Sequence, residues 1–180
     1  MSIPNMISLL RIVLTPLFVR FYLEGEQTAA MVLLGLAALS DMLDGFIARR
    51  FKMITPLGKV LDPVADKLLQ LGMLLCLADK SPWVLPLLLL HLLRELWLFA
   101  LGGLVYRRSG LLLGAKLYGK LCTAFLYVFL GLALLWQDMP EGLLHAGILF
   151  GAGMIMLCLV LYTAEYLRRL RAEEQIKKPT

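Results

Sequence analysis

DMLDGFIARRFKMITPLGKVLDPVAD, residues 41–66, sets four aspartates, Asp41, Asp44, Asp62 and Asp66, into a chain that is 60% hydrophobic. The flanking runs, ALAALS before and LLQLGMLLCLA after, have the composition of membrane helix. An aspartate near the centre of such a helix costs ~2.5–3.5 kcal/mol on insertion scales. Four of them need a shared compensating partner, and a bound divalent cation, or a pair, supplies one.

The spacing agrees. Asp41 and Asp44 are three apart, Asp62 and Asp66 four apart, so each pair shares one helical face. With the turn placed around residues 50–56, Asp41 lies ~12 Å and Asp44 ~7.5 Å from Arg49 along the axis. Counted from Leu57, Asp62 lies ~7.5 Å and Asp66 ~13.5 Å deep. Antiparallel neighbours joined by a short connection bring the pairs to matching depth. Oxygen-only ligands predict a hard cation, Mg2+ or Mn2+, and two such ions suit chemistry at a pyrophosphate. Gly45 and Ala48 share a face with the first pair, and Gly58 precedes Asp62 by one turn. Small residues there either open space for a ligand or let helices pack closely. Arg49 is placed to hold a phosphate oxygen.

The pattern Asp41-x2-Asp44-Gly45-x2-Ala48-Arg49-x8-Gly58-x3-Asp62-x3-Asp66 resembles the signature of the CDP-alcohol phosphatidyltransferase family at every fixed position. PNMISLLRIVLTP near the N-terminus, LDPVADKLL, the RE of LLREL and GKLCTA resemble its phosphatidylglycerophosphate synthase and cardiolipin synthase branch. The resemblance implies transfer of a phosphatidyl group from CDP-diacylglycerol to an alcohol, with release of CMP. It implies metal ligation by Asp41, Asp44, Asp62 and Asp66, with Asp66 as the base that activates the acceptor hydroxyl. It implies a CDP site at Asp41, Gly45, Ala48, Arg49, Gly58 and Asp62, and a homodimer. The implied acceptor is glycerol 3-phosphate or phosphatidylglycerol. Phosphatidylglycerophosphate synthases often read GKxKT where this chain has Gly119-Lys120-Leu121-Cys122-Thr123. They also often carry an arginine later in the fourth helix, which is apolar and glycine-rich here up to Tyr106. Those departures keep a cardiolipin-synthase-type reaction as the alternative to glycerol 3-phosphate.

Around this stretch the chain reads as one all-α membrane domain, 1–180. Its mean hydropathy is +0.80. Six transmembrane helices are predicted, near residues 6–22, 28–49, 57–78, 82–106, 113–136 and 142–167, each close to the ~20 residues needed to span. The loops alternate in charge. Arg49, Arg50 and Lys52, then Arg107, Arg108 and Lys116, then Arg168, Arg169, Arg171, Lys177 and Lys178 mark one side. Glu24 and Glu26, Asp79 with Lys80, and Asp138 with Glu141 mark the other. The basic side is expected in the cytoplasm, with both termini there and the polar cavity opening to it. Arg20 dissents from this pattern and is expected to snorkel. Tyr22, Trp83 and Trp136 fall where an aromatic belt belongs. The net charge of +5 sits at helix ends and implies no nucleic acid.

Cys76, Cys122 and Cys158 lack metal-site spacing and read as buried small hydrophobes. The first apolar segment lacks a basic n-region and an A-x-A site, so no cleaved signal peptide is expected, and a bacterial plasma membrane is the simplest address. Other charges at membrane depth are candidates for an acceptor subsite: Arg11, Arg94, Lys116 and Lys120. Three have a plainer reading, Arg94 as a local pair with Glu95 and the lysines as interfacial anchors. Glu165 with Arg168 and Arg169 reads as a self-paired helix end, and His145 as interfacial. Intramembrane acids also suit a divalent-cation transporter. Against it, the acids cluster near one face with no second set to continue a path.

Overall fold

The computed structural model describes the backbone of residues 3–50, 58–109 and 116–176, and side chains within 5–40, 58, 61–107 and 116–169. Among the described residues every regular element is helical: α1 Ile3–Leu23, α2 Gln27–Arg50, α3 Gly58–Lys80, α4 Leu85–Ser109, α5 Leu117–Leu135 and α6 Glu141–Ile176, with one 3₁₀ turn, Pro82–Val84, leading into α4. Helix is the only economical choice for apolar runs of this length, because it satisfies backbone groups within the segment.

Large apolar side chains face outward while polar ones are buried. Phe99 is 83% exposed, whereas Asn5, Ser8, Arg11, Thr15, Ser40, Gln70, His91 and Arg94 are buried. Along α1, Met6, Leu10, Val13 and Leu17 form the exposed stripe opposite Ser8 and Arg11. Water would penalise that distribution, and a bilayer favours it. Four helices are long and apolar enough to cross a membrane among the described residues: Asn5–Leu23, Pro82–Arg107, Leu117–Leu135 and Glu141–Arg169. In α2 the described side chains, Gln27–Ser40, form a shorter apolar run. The chain is a multi-pass membrane protein.

Two compact units emerge. One holds α1, α2, α3 and Leu130–Gln137; the other holds Trp83–Phe129 and α6. In the first, α1 packs on both α2 and α3. The α1–α2 reversal is a Schellman turn: Glu26 N–H donates to Phe21 C=O at 2.9 Å and Gly25 N–H to Tyr22 C=O at 3.1 Å. Gly25 takes φ +83°, a conformation that needs glycine. Arg20, expected to snorkel, pairs with Glu24 at 2.8 Å. At the far end of α3, Lys80 Nζ donates to the carbonyls of Trp136 (3.2 Å) and Gln137 (2.6 Å). Gln137 Nε2 in turn donates to Gln27 Oε1.

In the second unit, Trp97 Nε1 of α4 donates to Thr163 Oγ1 of α6 at 3.0 Å. A Cβ at Gly119 would collide with the Tyr162 ring, so glycine there lets α5 approach α6. His145 meets the Trp83 ring edge-on at 5.2 Å. The three cysteines are free and buried, as their surroundings predicted.

Candidate active site

Helix α3 starts at buried Gly58 and displays Asp62 and Asp66 one turn apart on one face. Facing them is a polar stripe on α1, Asn5, Ser8, Arg11 and Thr15, at helical spacing and wholly buried. Ser8 Oγ donates to Asp62 Oδ1, and Arg11 Nη1 donates to Asp66 Oδ1. One turn further, the methyls of Thr15 and Val19 lie against Gly72. The contacts advance in the same sense along both helices, so α1 and α3 run parallel and in step. Thr15 Oγ1 donates back to the Arg11 carbonyl at 2.9 Å.

Burial decides how these groups behave. The Arg11 side chain is 0% exposed, whereas that of Asp66 is 39% exposed. The pair is therefore a buried cation with a carboxylate that still reaches a surface. Asp62 is half-buried. Carboxylate oxygens on one helical face, one turn apart, are the donor type a hard divalent cation takes, so the residues present fit such an ion. Below the acids an apolar groove of about 670 Å³ runs between α1 and α3. Ile12, Thr15, Val19, Leu68, Leu71 and Leu75 line it, with Arg20 and Glu24 among its other walls.

The remaining sequence candidates divide. Asp41, Asp44, Gly45, Ala48 and Arg49 lie on α2, with side chains outside the described residues. Arg94, Lys116 and Lys120 belong to the second unit. Arg94 is buried and pairs with Glu95 at 3.1 Å. Lys116 N–H donates to Tyr162 OH at 2.9 Å, and its Nζ stands 3.7 Å from Glu165. Glu165 also meets Arg169 at 3.3 Å, so its self-pairing was legible but its link to Lys116, the residue before α5, was not. Lys120 is exposed. Sequence reasoning missed Ser8, Thr15 and Gly72. The recurrence of polar residues at 5, 8, 11 and 15 in an apolar segment was the available signal for the first two.

The family model for CDP-alcohol phosphatidyltransferase matches residues 1–164. The chain belongs to the CDP-alcohol phosphatidyltransferase family. It is an enzyme, which removes the cation-carrier alternative. A CDP-diacylglycerol--glycerol-3-phosphate 3-phosphatidyltransferase of Aquifex aeolicus is 37% identical over 126 residues, 69% of this chain and 71% of that protein. A probable phosphatidylglycerophosphate synthase of Mycobacterium tuberculosis is 32% identical over 176 residues, 93% of this chain and 81% of that protein. A cardiolipin synthase (CMP-forming) of Streptomyces coelicolor is 39% identical over 116 residues, 61% of this chain and 54% of that protein. In this phosphatidyltransferase α1 grips Asp62 and Asp66, the two C-terminal acids of the signature.

Proposed function

We propose that this chain transfers the phosphatidyl group of CDP-diacylglycerol to glycerol 3-phosphate and releases CMP. The observation that carries the reading is the Asp62–Asp66 face of α3, held by buried donors of α1, in a chain similar to phosphatidylglycerophosphate synthases. Asp41, Asp44, Asp62 and Asp66 would hold two Mg2+ or Mn2+ ions. Bound there, the ions would neutralise the pyrophosphate and favour departure of CMP.

The remaining steps fall to side chains. Asp66 accepts the proton of the acceptor hydroxyl. The acceptor oxygen forms a bond to the phosphorus that bears the diacylglycerol, the bond from that phosphorus to the bridging oxygen breaks, and the electron pair leaves on CMP. Gly45, Ala48 and Gly58 leave room for the CDP moiety, and Arg49 holds a phosphate oxygen. The groove between α1 and α3 is the berth we assign to an acyl chain, being apolar and beginning one turn from Arg11. Arg94, Lys116 and Lys120 are the basic side chains offered to the acceptor phosphate, from their place in the sequence.

We infer further that α2 and α3 also cross the bilayer, giving six spans and a polar cavity open to the cytoplasm. Both termini then lie on the basic, cytoplasmic side of a bacterial inner membrane. A homodimer and a single domain over 1–180 complete the reading.

A second reading, transfer to phosphatidylglycerol, is favoured by Cys122 within GKLCT and by the similarity to a cardiolipin synthase. Purified protein given CDP-diacylglycerol with each acceptor separates the two. CMP release that depends on glycerol 3-phosphate is expected, and release only with phosphatidylglycerol overturns the choice. Asp66→Asn is expected to abolish release while the protein still inserts; near-normal turnover would remove Asp66 from the mechanism.

A further inference from the structure

Arg11 is the largest charged side chain that the described structure buries completely. It sits within a candidate membrane span, where an uncompensated cation is costly. Its guanidinium reaches Asp66 Oδ1 from the protein side, while the Asp66 side chain keeps 39% exposure. With no accessible surface of its own, Arg11 has no route to a soluble substrate as α1 stands. Among the described contacts, its link to the candidate site is the Asp66 carboxylate.

We propose that Arg11 is a positioning residue for Asp66. This rests on the reading of Asp66 as the proton acceptor. The guanidinium is planar and its donors are fixed in a fork. One of them, Nη1, bonds Oδ1 and holds that oxygen of the Asp66 carboxyl on the buried side, which leaves the exposed part of the side chain turned toward the ligand. Neighbouring contacts keep the tether in register. Thr15 Oγ1 bonds the Arg11 carbonyl, and Gly72 admits the methyls of Thr15 and Val19 so that α1 lies close on α3. Ser8 repeats the arrangement one turn earlier, on Asp62. A general base misplaced by about an ångström loses on the order of a hundredfold in rate, so such a tether has a kinetic signature.

The test uses the full-length protein in detergent micelles, with Arg11→Met, Arg11→Lys, Asp66→Asn and the double variant Arg11→Met/Asp66→Asn. With glycerol 3-phosphate as acceptor, Arg11→Met is expected to lower kcat by about a hundredfold and to leave the acceptor KM within about twofold. Arg11→Lys, which keeps the charge but not the fork, is expected to recover part of that loss. Because Asp66→Asn alone abolishes release, the coupling of the two changes is read from stability. In dodecyl sulfate unfolding the double variant should be less destabilised than the sum of the two single changes, because both act through one ion pair.

If Arg11→Met does not fold, the split between kcat and KM is read from Arg11→Lys. An acceptor KM raised about tenfold or more with kcat retained overturns the proposal and moves Arg11 to the acceptor subsite. Additive effects in the double variant overturn it too. A wild type that releases no CMP with either acceptor instead brings down the functional reading, and this proposal with it. Whether the wild type turns over tells the two failures apart.

Discussion

Gly72→Ala tests whether the site depends on how closely α1 lies on α3. A Cβ built at Gly72 would stand 3.0 Å from Val19 Cγ2 and 3.1 Å from Thr15 Cγ2. Ordinary Cβ contacts begin at 3.4 Å, so one helix must retreat by 0.3–0.4 Å. Neither neighbour can step aside cheaply, since both are β-branched and stiff at χ1 in a helix. Overpacking of this kind costs about 1–3 kcal/mol. Alanine also gains about 0.5–1 kcal/mol over glycine in a helix, so the raw effect of Gly72→Ala is blurred. Gly35→Ala removes the blur: a Cβ at Gly35 in α2 meets nothing within 4 Å, and its helix gain is the same in kind. The difference between the two variants therefore isolates the overpacking, about 1–3 kcal/mol. Unfolding midpoints in mixed dodecyl sulfate micelles measure it. The Ser8–Asp62 and Arg11–Asp66 bonds should loosen with it, so CMP release should fall in Gly72→Ala and hold in Gly35→Ala. Equal stability in the two variants would refute the close α1–α3 packing.

Removing divalent metal with EDTA should stop CMP release, and added Mg2+ or Mn2+ should restore it; turnover that survives exhaustive chelation would contradict the assignment of the four aspartates. Glu95→Gln leaves buried Arg94 without its paired charge and should cost toward the lower end of about 3–5 kcal/mol in detergent unfolding. Glu165→Gln touches more exposed pairs and should cost under about 1 kcal/mol by the same measurement.

Hydrophobic runs located the helices to within a few residues, because in lipid the backbone must satisfy itself and apolar length sets helix length. The end of α6 was placed near Leu167, yet the helix continues to Ile176. RRLRAEEQ marks where lipid stops, but arginine, alanine and glutamate are good helix formers, so polarity there does not end the helix. The pairing of Asp62 with Asp66 on one face was legible from a spacing of four. The close neighbours of those acids were less so. Arg11 was singled out as a charge at depth, but which carboxylate it meets depends on the stagger of α1 against α3. Gly72 sets the closeness of that packing, and one isolated glycine in an apolar run carries no visible instruction.

The unbroken length of α6 has a practical consequence. Its 36 residues make a rod of about 54 Å, while its apolar run gives way in the sequence at Arg168, Arg169 and Arg171. Two further turns carry on as helix past the lipid-facing portion. A rigid spin label or antibody epitope grafted onto those turns would be a lever coupled to the buried shaft. Its angular swing would report tilt of the whole helix during turnover, with no probe placed near the substrates.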